Sequence, residues 1–302
     1  MKAVIPAAGM GLRFLPLTKE QPKEMIPVLD KPTIQYVVEE AIAAGVDDII
    51  IITGRNKRAI EDHFDKSFEL EAALEKIERF DMLEEIRRLS NMVDIHYVRQ
   101  KTPLGLGDAI LRAKKHIGDE PFAVMLGDTI HISKEPVIGQ LMKIHERTKG
   151  SVIAVETVPD EKISDYGIVD AEPIDDNLML IHDLVEKPTF EKAPSNIGIT
   201  GRYILTPEIF SYLERTEMGK GEELQLTDAI RLMNLDHDTY AYRFEGRRYD
   251  IGDMVCWLKT IFELALAHPD YSSQLRAFLE ELLSLNGEEV NYASLAYVMS
   301  AI

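Results

Sequence analysis

The chain has 302 residues, 45% hydrophobic and 28% charged, enough to bury a large core as one extended α/β domain or a domain with appendages. Its formal charge of −18 argues against a nucleic-acid or anionic-membrane surface, because both are held through clustered Lys and Arg. The single cysteine, Cys256, allows no internal disulfide and no apolar run approaches the roughly 18 residues of a membrane span, which together predict a cytoplasmic protein.

The first element is a short apolar run, Ala3 to Ile5, ending in Pro6 and a small-residue turn. That is the pattern of a buried strand that stops where a ligand must approach the backbone closely. Gly9 and Gly11 let successive peptide N–H groups turn toward an anion, with Arg13 and Lys23 as fixed charges beside it. Residues 1 to 31 carry five cations against three acids, so the positive field is confined to this loop in an otherwise acidic chain. Phe14 stands where a dinucleotide fingerprint needs its third glycine, and no Lys-Ser or Lys-Thr follows as in a P-loop. What remains resembles the sugar nucleotidyltransferase signature G-x-G-T-R-[FL]-x-P-x-T-x-x-x-P-K-x-M, matched at Gly9, Gly11, Arg13, Phe14, Pro16, Thr18, Pro22, Lys23 and Met25. Leu12 departs from the usual threonine, removing a hydroxyl from the phosphate loop. The resemblance implies nucleotide binding by Ala8, Gly9 and Gly11, with Arg13 and Lys23 as catalytic groups. It also implies a Rossmann-like, mostly parallel central sheet flanked by helices, the nucleotide-diphospho-sugar transferase fold.

Thr33 to Gly45 has helical apolar spacing, with Thr33 as the expected cap and Gly45 as the stop, and Asp48 to Thr53 reads as the next strand. Strand, loop, helix and strand in this order predict a βαβ unit, a parallel sheet and ligands gathered at strand C-terminal ends. Residues 56 to 90, rich in Glu, Leu, Arg and Lys without Pro or Gly, predict a helical insert before a strand over 93 to 98. An insert of this kind is similar to that of the bacterial-type UTP–glucose-1-phosphate uridylyltransferases rather than the shorter thymidylyltransferases. The segment from Arg99 to Gly107 resembles the family's R-Q-x-x-P-L-G-L-G, in which the glutamine and first glycine hold the nucleobase; Gln100 and Gly105 inherit that role by resemblance. Asp108, where the family commonly has histidine, begins an expected helix over 106 to 116.

The apolar run 121 to 126 ends in Gly127 and Asp128, a strand-end carboxylate well placed to hold Mg2+ between protein and triphosphate. After a strand over 152 to 158 come Tyr166-Gly167, then Glu186-Lys187-Pro188 and the strand carrying Gly198 to Tyr203. A carboxylate suits sugar hydroxyls and an ammonium suits a phosphate oxygen, but strand neighbours face opposite ways, so Glu186 and Lys187 can share a ligand only at a strand end or bent loop. These segments occur in family order and spacing. By resemblance Gly167, Glu186, the Ile199 backbone and Tyr203 line the sugar, and Lys187 meets its phosphate.

Expected helices over 207 to 214 and 224 to 233 enclose Asp228, open between a catalytic and a helix-packing role. Tyr249 to Asp253 matches the family's Y-D-I-G-D, making Asp250 the second Mg2+ ligand, while Asp253 caps the helix 254 to 267. Cys256 and Trp257 read as core filler, and the tail (272 to 285, then 292 to 302) as packing or subunit contact. The resemblance gives a catalytic domain over 1 to 268 and a helical extension over 269 to 302. It implies conversion of UTP and glucose 1-phosphate to UDP-glucose and pyrophosphate with Mg2+, in a homo-oligomer, dimer or tetramer. The alternatives are a dTTP-using thymidylyltransferase of the same fold and a catalytically silent nucleotide-sugar-binding subunit.

Overall fold

Asp48–Thr53 contains four consecutive isoleucines and Lys2–Pro6 the run Ala-Val-Ile, all essentially inaccessible to solvent. Runs apolar on both faces belong in a parallel sheet covered on both sides. The computed structural model, which describes residues 1–284, has that arrangement; the expected helix over 292 to 302 lies outside the described residues. Its strands are β1 (Lys2–Pro6), β2 (Pro27–Val28), β3 (Lys31–Pro32), β4 (Asp48–Thr53), β5 (Asp94–Arg99), β6 (Phe122–Met125) and β7 (Thr129–Ile132). There follow β8 (Ser151–Thr157), β9 (Gly167–Pro173), β10 (Leu178–Glu186), β11 (Ile197–Leu205), β12 (Thr239–Arg243) and β13 (Arg247–Asp250). The central sheet runs β5-β4-β1-β6-β11-β8-β12-β10-β9. Its pairings leave only β10 and β11 running against the other seven strands.

The helices are α1 (Thr33–Ala43), α2 (Arg58–Phe64), α3 (Phe68–Lys76), α4 (Phe80–Ser90), α5 (Leu106–Arg112) and α6 (Lys114–Ile117). After them come α7 (Val137–Thr148), α8 (Ile209–Leu213), α9 (Leu226–Met233), α10 (Met254–Ala267) and α11 (Ser272–Ser284). The two-residue period of the strands divides the core between the faces of the sheet. Val4, Ile50 and Ile52 pack with Ile110 of α5, Phe210 of α8 and Ile230 of α9. Ala3, Ile5, Ile49 and Ile51 pack with Ile34, Val37 and Val38 of α1 and with Ile138 and Leu141 of α7. A third cluster, Phe14, Ile26, Val28, Ile130 and Ile251, joins the phosphate loop to the β7–β13 ribbon, and Trp257 of α10 covers it while donating to the Pro27 carbonyl at 2.9 Å.

One charged pair crosses the core. Arg202 on β11, fully buried, donates to Glu40 Oε2 of α1 at 2.8 and 3.0 Å and to the Thr129 carbonyl at 2.8 Å. Glu40 Oε1 accepts from the Ile138 N–H at 3.1 Å, so one ion pair ties α1, α7 and β11 to the start of β7.

Several local expectations change. Thr33 is the first residue of α1 rather than its cap, because its hydroxyl donates to the Ile26 carbonyl at 2.8 Å, outside the helix. The helix expected over 106 to 116 breaks at Ala113 into α5 and α6. Cys256 is only partly buried, 3.9 Å from Lys162 Nζ, and fills no core. Asp253 does cap α10, its Oδ1 accepting from the Cys256 N–H at 2.8 Å. In the 58–90 segment Leu74 and Leu83 are buried, but Phe68, Ile77 and Phe80 remain exposed. No helix among the described residues is long and apolar enough to cross a membrane.

Candidate active site

The loop after β1 is shaped by one conformation that only glycine adopts readily. Gly11 has φ +68°, and a Cβ there would press within 3.1–3.3 Å of Thr18 and Lys23. Thr18 Oγ1 donates to the Gly11 carbonyl at 2.6 Å, folding the loop onto itself, and Phe14 plugs the third core cluster. With Phe14 inward, Arg13 stays exposed on the wall of a cleft of about 460 Å3.

Lys23 leaves the same loop toward Asp128, which follows β6; the ammonium lies 2.5 Å from Oδ2. Burial alone would lower the Lys23 pKa, but Asp128, Glu24 and Asp250 outweigh it and raise it. For Asp128 burial acts upward and is overcome by Lys23, so its carboxyl lies below the ordinary range. Asp250 comes alongside through the β7–β13 pairing, where it sits opposite Thr129 and Ile251 N–H donates to the Asp128 carbonyl at 3.1 Å. Burial raises the Asp250 pKa; Arg248 pulls it down and the negative charge of Asp128 pushes it up again. Two carboxylates raising each other's need for a cation, at the ends of adjacent segments, are a hard oxygen donor pair of the kind Mg2+ takes from protein. The described residues contain no group of three or more His, Cys, Asp or Glu able to hold a metal, so phosphate oxygens and water would have to complete the coordination.

The opposite wall comes from β9, β10 and β11. Glu186 is the last residue of β10, pairs with Gly167 of β9, and accepts from Thr227 Oγ1 at 2.6 Å. Lys187 takes a left-handed turn, φ +44°, and its N–H donates to the Tyr166 carbonyl at 3.0 Å. That turn resolves the strand-parity problem: the chain bends between the two side chains, and both line the cleft, with Lys187 Nζ 3.3 Å from Glu186 Oε1. Ile199 and the buried Tyr203 complete this wall.

An adjoining arm of about 300 Å3 shares Gly9, Lys23 and Asp128 with the cleft and adds Ala8, Gln100, Pro103 and Gly105. Gly105 has φ +100°, and a Cβ there would meet Glu223 and the Leu224 carbonyl at 2.7–2.8 Å. Gln100 is buried at the end of β5; its Nε2 donates to the Gly105 carbonyl at 3.1 Å and to Asp108 Oδ2 at 2.7 Å. With its N–H groups so committed, the amide has only Oε1, an acceptor, to offer a ligand.

Every residue singled out from the sequence for the site therefore lies on this cleft or its arm, apart from Asp228, which lines neither. Sequence reading missed Arg248. Its Nε donates to Glu156 at 2.7 Å, its Nη2 to Tyr166 Oη at 2.7 Å and its Nη1 to Asp250 at 3.3 Å, so one guanidinium holds the Asp250 carboxylate and the Tyr166 hydroxyl together. The signal was local: Arg248 and Asp250 lie two apart on β13 and so share a face. It also missed Asp108, which sets the orientation of the Gln100 amide and is itself held by Arg112.

Comparison with known proteins agrees with this geometry. A family model described as nucleotidyl transferase matches residues 2–264. The chain is 53% identical over 281 residues to the UTP–glucose-1-phosphate uridylyltransferase of Staphylococcus epidermidis, covering 93% of this chain and 98% of that one. It is 51% identical over 289 residues to the Bacillus subtilis protein of the same name, with 96% and 98% covered. Among solved structures, a UDP-glucose pyrophosphorylase complexed with UDP-glucose superposes with a TM-score of 0.81 at 43% identity, covering 88% of this chain and 99% of that one. A UTP-bound enzyme of this type from Acinetobacter baumannii superposes with a TM-score of 0.86 at 39% identity, with 93% and 99% covered.

Proposed function

This chain belongs to the nucleotidyl transferase family, and on that premise we propose that it joins UTP and glucose 1-phosphate into UDP-glucose and pyrophosphate. The observation that carries the reading is a single cleft with two cationic poles. Arg13 and Lys23 stand with Asp128 and Asp250 on one wall, and Lys187 stands beside Glu186 on the other. A site with two such poles suits two phosphorylated substrates rather than one.

The nucleotide lies along the first wall, its phosphates over the backbone of Ala8, Gly9 and Gly11 and its base in the arm between Gln100 and Gly105. Gln100 Oε1, an acceptor because Asp108 takes the amide N–H, selects a base edge that offers an N–H, as uracil does at N3. Arg13 and Lys23 draw negative charge from the triphosphate. Gly167, Glu186, the Ile199 backbone and Tyr203 surround the sugar, and Lys187 fixes its phosphate. The attacking oxygen belongs to a phosphate monoester whose second pKa is about 6, so it is ionised near neutral pH and needs no general base. It forms a bond to the α-phosphorus as the bond to the pyrophosphate oxygen breaks, with the barrier lowered by orientation and charge neutralisation. Asp128 and Asp250 hold Mg2+, which when bound supplies further neutralisation of the phosphate oxygens. The catalytic domain spans 1–268, the extension 269–302 serves subunit contact, and the single cysteine fits work in a reducing cytoplasm.

The test is pyrophosphate release over a panel of nucleoside triphosphates and hexose 1-phosphates. UTP with glucose 1-phosphate gives the highest kcat/KM, and Asp128→Asn or Asp250→Asn lowers turnover on the order of a hundredfold. A preference for dTTP, no pyrophosphate at all, or an Asn variant within threefold of the parent at limiting Mg2+ overturns the reading.

A further inference from the structure

Beside the glycine-rich loop lies a second cavity, of about 400 Å3, most of whose lining has no part in the reaction above. Its walls are the loop after β1, the turn after β4 and the turn after β5. Lys19, Arg55, Lys57 and Lys101 line it, and no Asp or Glu does. This stands out in a chain of charge −18, whose substrate cleft is lined by five acids against four cations. Lys57 is neutralised by the buried Glu24 at 2.7 Å. Lys19, Arg55 and Lys101 are exposed and make no ion pair among the described residues, although acids outnumber bases 52 to 34 in the sequence. Converging like charges repel, and a bound anion reverses the sign of that term.

The rest of the lining says what the anion carries. Met10 and Leu15 are 63% and 55% exposed there, apolar surface that a bare inorganic ion would leave wet. A planar guanidinium and two ammoniums suit phosphate oxygens, while the thioether and isobutyl groups suit a carbon body. The cavity shares Ala8, Gly9, Met10, Gln100 and Pro103 with the nucleotide arm, so its occupant and a bound nucleotide would touch the same backbone loop.

We propose that this cavity binds a small phosphate monoester with an apolar body and, when filled, braces the phosphate loop for nucleotide. The binding half rests on this lining alone; the bracing half rests on the reaction proposed above. The probe is phenyl phosphate, titrated calorimetrically into the full chain saturated with UDP-glucose so that the substrate cleft is blocked. Phenyl phosphate binds under these conditions at least fivefold more tightly than inorganic phosphate. The double substitution Lys19→Ala, Arg55→Ala weakens it tenfold or more, while turnover without phenyl phosphate stays within twofold of the parent. Saturating phenyl phosphate lowers the KM for UTP at least threefold in the parent and not in the double variant. No binding to the UDP-glucose complex, equal affinity for inorganic phosphate, or an unchanged double variant overturns the binding half. A raised or constant KM for UTP overturns the bracing half, and absence of any turnover on UTP refutes the reaction while leaving the calorimetric result to stand.

Discussion

Lys187 is where the proposed division of the cleft between two substrates can be tested. Its backbone is left-handed, and its ammonium lies 3.3 Å from Glu186 Oε1. Lys187→Ala should leave UTP affinity nearly unchanged while glucose 1-phosphate binding and turnover collapse; a charge-assisted contact that tightens in the transition state is worth about 3 kcal/mol, or roughly a hundredfold in rate. Separate calorimetric titrations of the two ligands check this, and loss of UTP binding would assign Lys187 to the nucleotide half. A second residue makes a pH prediction. His131 on β7 is buried with neither ring nitrogen hydrogen-bonded, and burial, then Arg202 and Arg248, push its pKa well below the ordinary value. The unfolded chain takes up a proton as pH falls through about 6.5 while the folded chain does not, so stability drops on acidification from that point down to the folded pKa. Between pH 6.5 and 5.5 this amounts to about 1 kcal/mol. His131→Leu should remove it, seen as a denaturant midpoint that falls less steeply with pH over that interval than the parent's.

At the scale of elements, the Arg202–Glu40 pair fastens α1, α7 and β11 to the segment that presents Asp128. Arg202→Met strands a buried carboxylate and should cost about 3–5 kcal/mol. Replacing both partners, Arg202→Met with Glu40→Met, removes the orphan and should be milder than the single change, a result that equilibrium unfolding in urea can read. A double variant worse than the single one would mean that packing rather than charge is at stake. This pair was invisible in the sequence because its members are 162 positions apart and each, taken alone, reads as an ordinary surface charge. Arg248 escaped for a related reason: Glu156 and Tyr166, two of its partners, come from distant segments. The glycine-rich loop and the strand-end Asp128 were legible because their constraints are local, a small-residue turn and an apolar run that stops, whereas Asp250 was reached only through the resemblance of its Y-D-I-G-D segment. Thr33 misled for a local reason too, its hydroxyl having a carbonyl acceptor nearer than the helix start.

For the whole molecule, the decisive surface is the outer face of the C-terminal helices. Val255, Leu258 and Phe262 of α10 fall at i, i+3 and i+7 and are 59%, 44% and 49% exposed; Phe278 of α11 is 55% exposed. A stripe of this kind on one side of a helix calls for a second apolar surface, which a second copy of the chain would supply by symmetry. Light scattering should therefore report a dimer or larger for the intact protein at micromolar concentration. Val255→Lys with Phe262→Glu should reduce it to monomer, whereas Phe80→Ser in the exposed α4 surface should not. A monomeric parent, or dissociation by the α4 change alone, would move the interface elsewhere.

The contact of Lys23 with Asp128 has a consequence for how the enzyme is loaded. The carboxylate has a cationic partner supplied by the chain itself. On the function proposed above, loading would be a change of partners: Asp128 would exchange the ammonium for Mg2+, and Lys23 would exchange the carboxylate for a phosphate oxygen. A metal ion by itself offers the lysine nowhere to go, and a bare triphosphate gives Asp128 nothing in return. On that reading the exchange would need both at once, nucleotide and Mg2+ together.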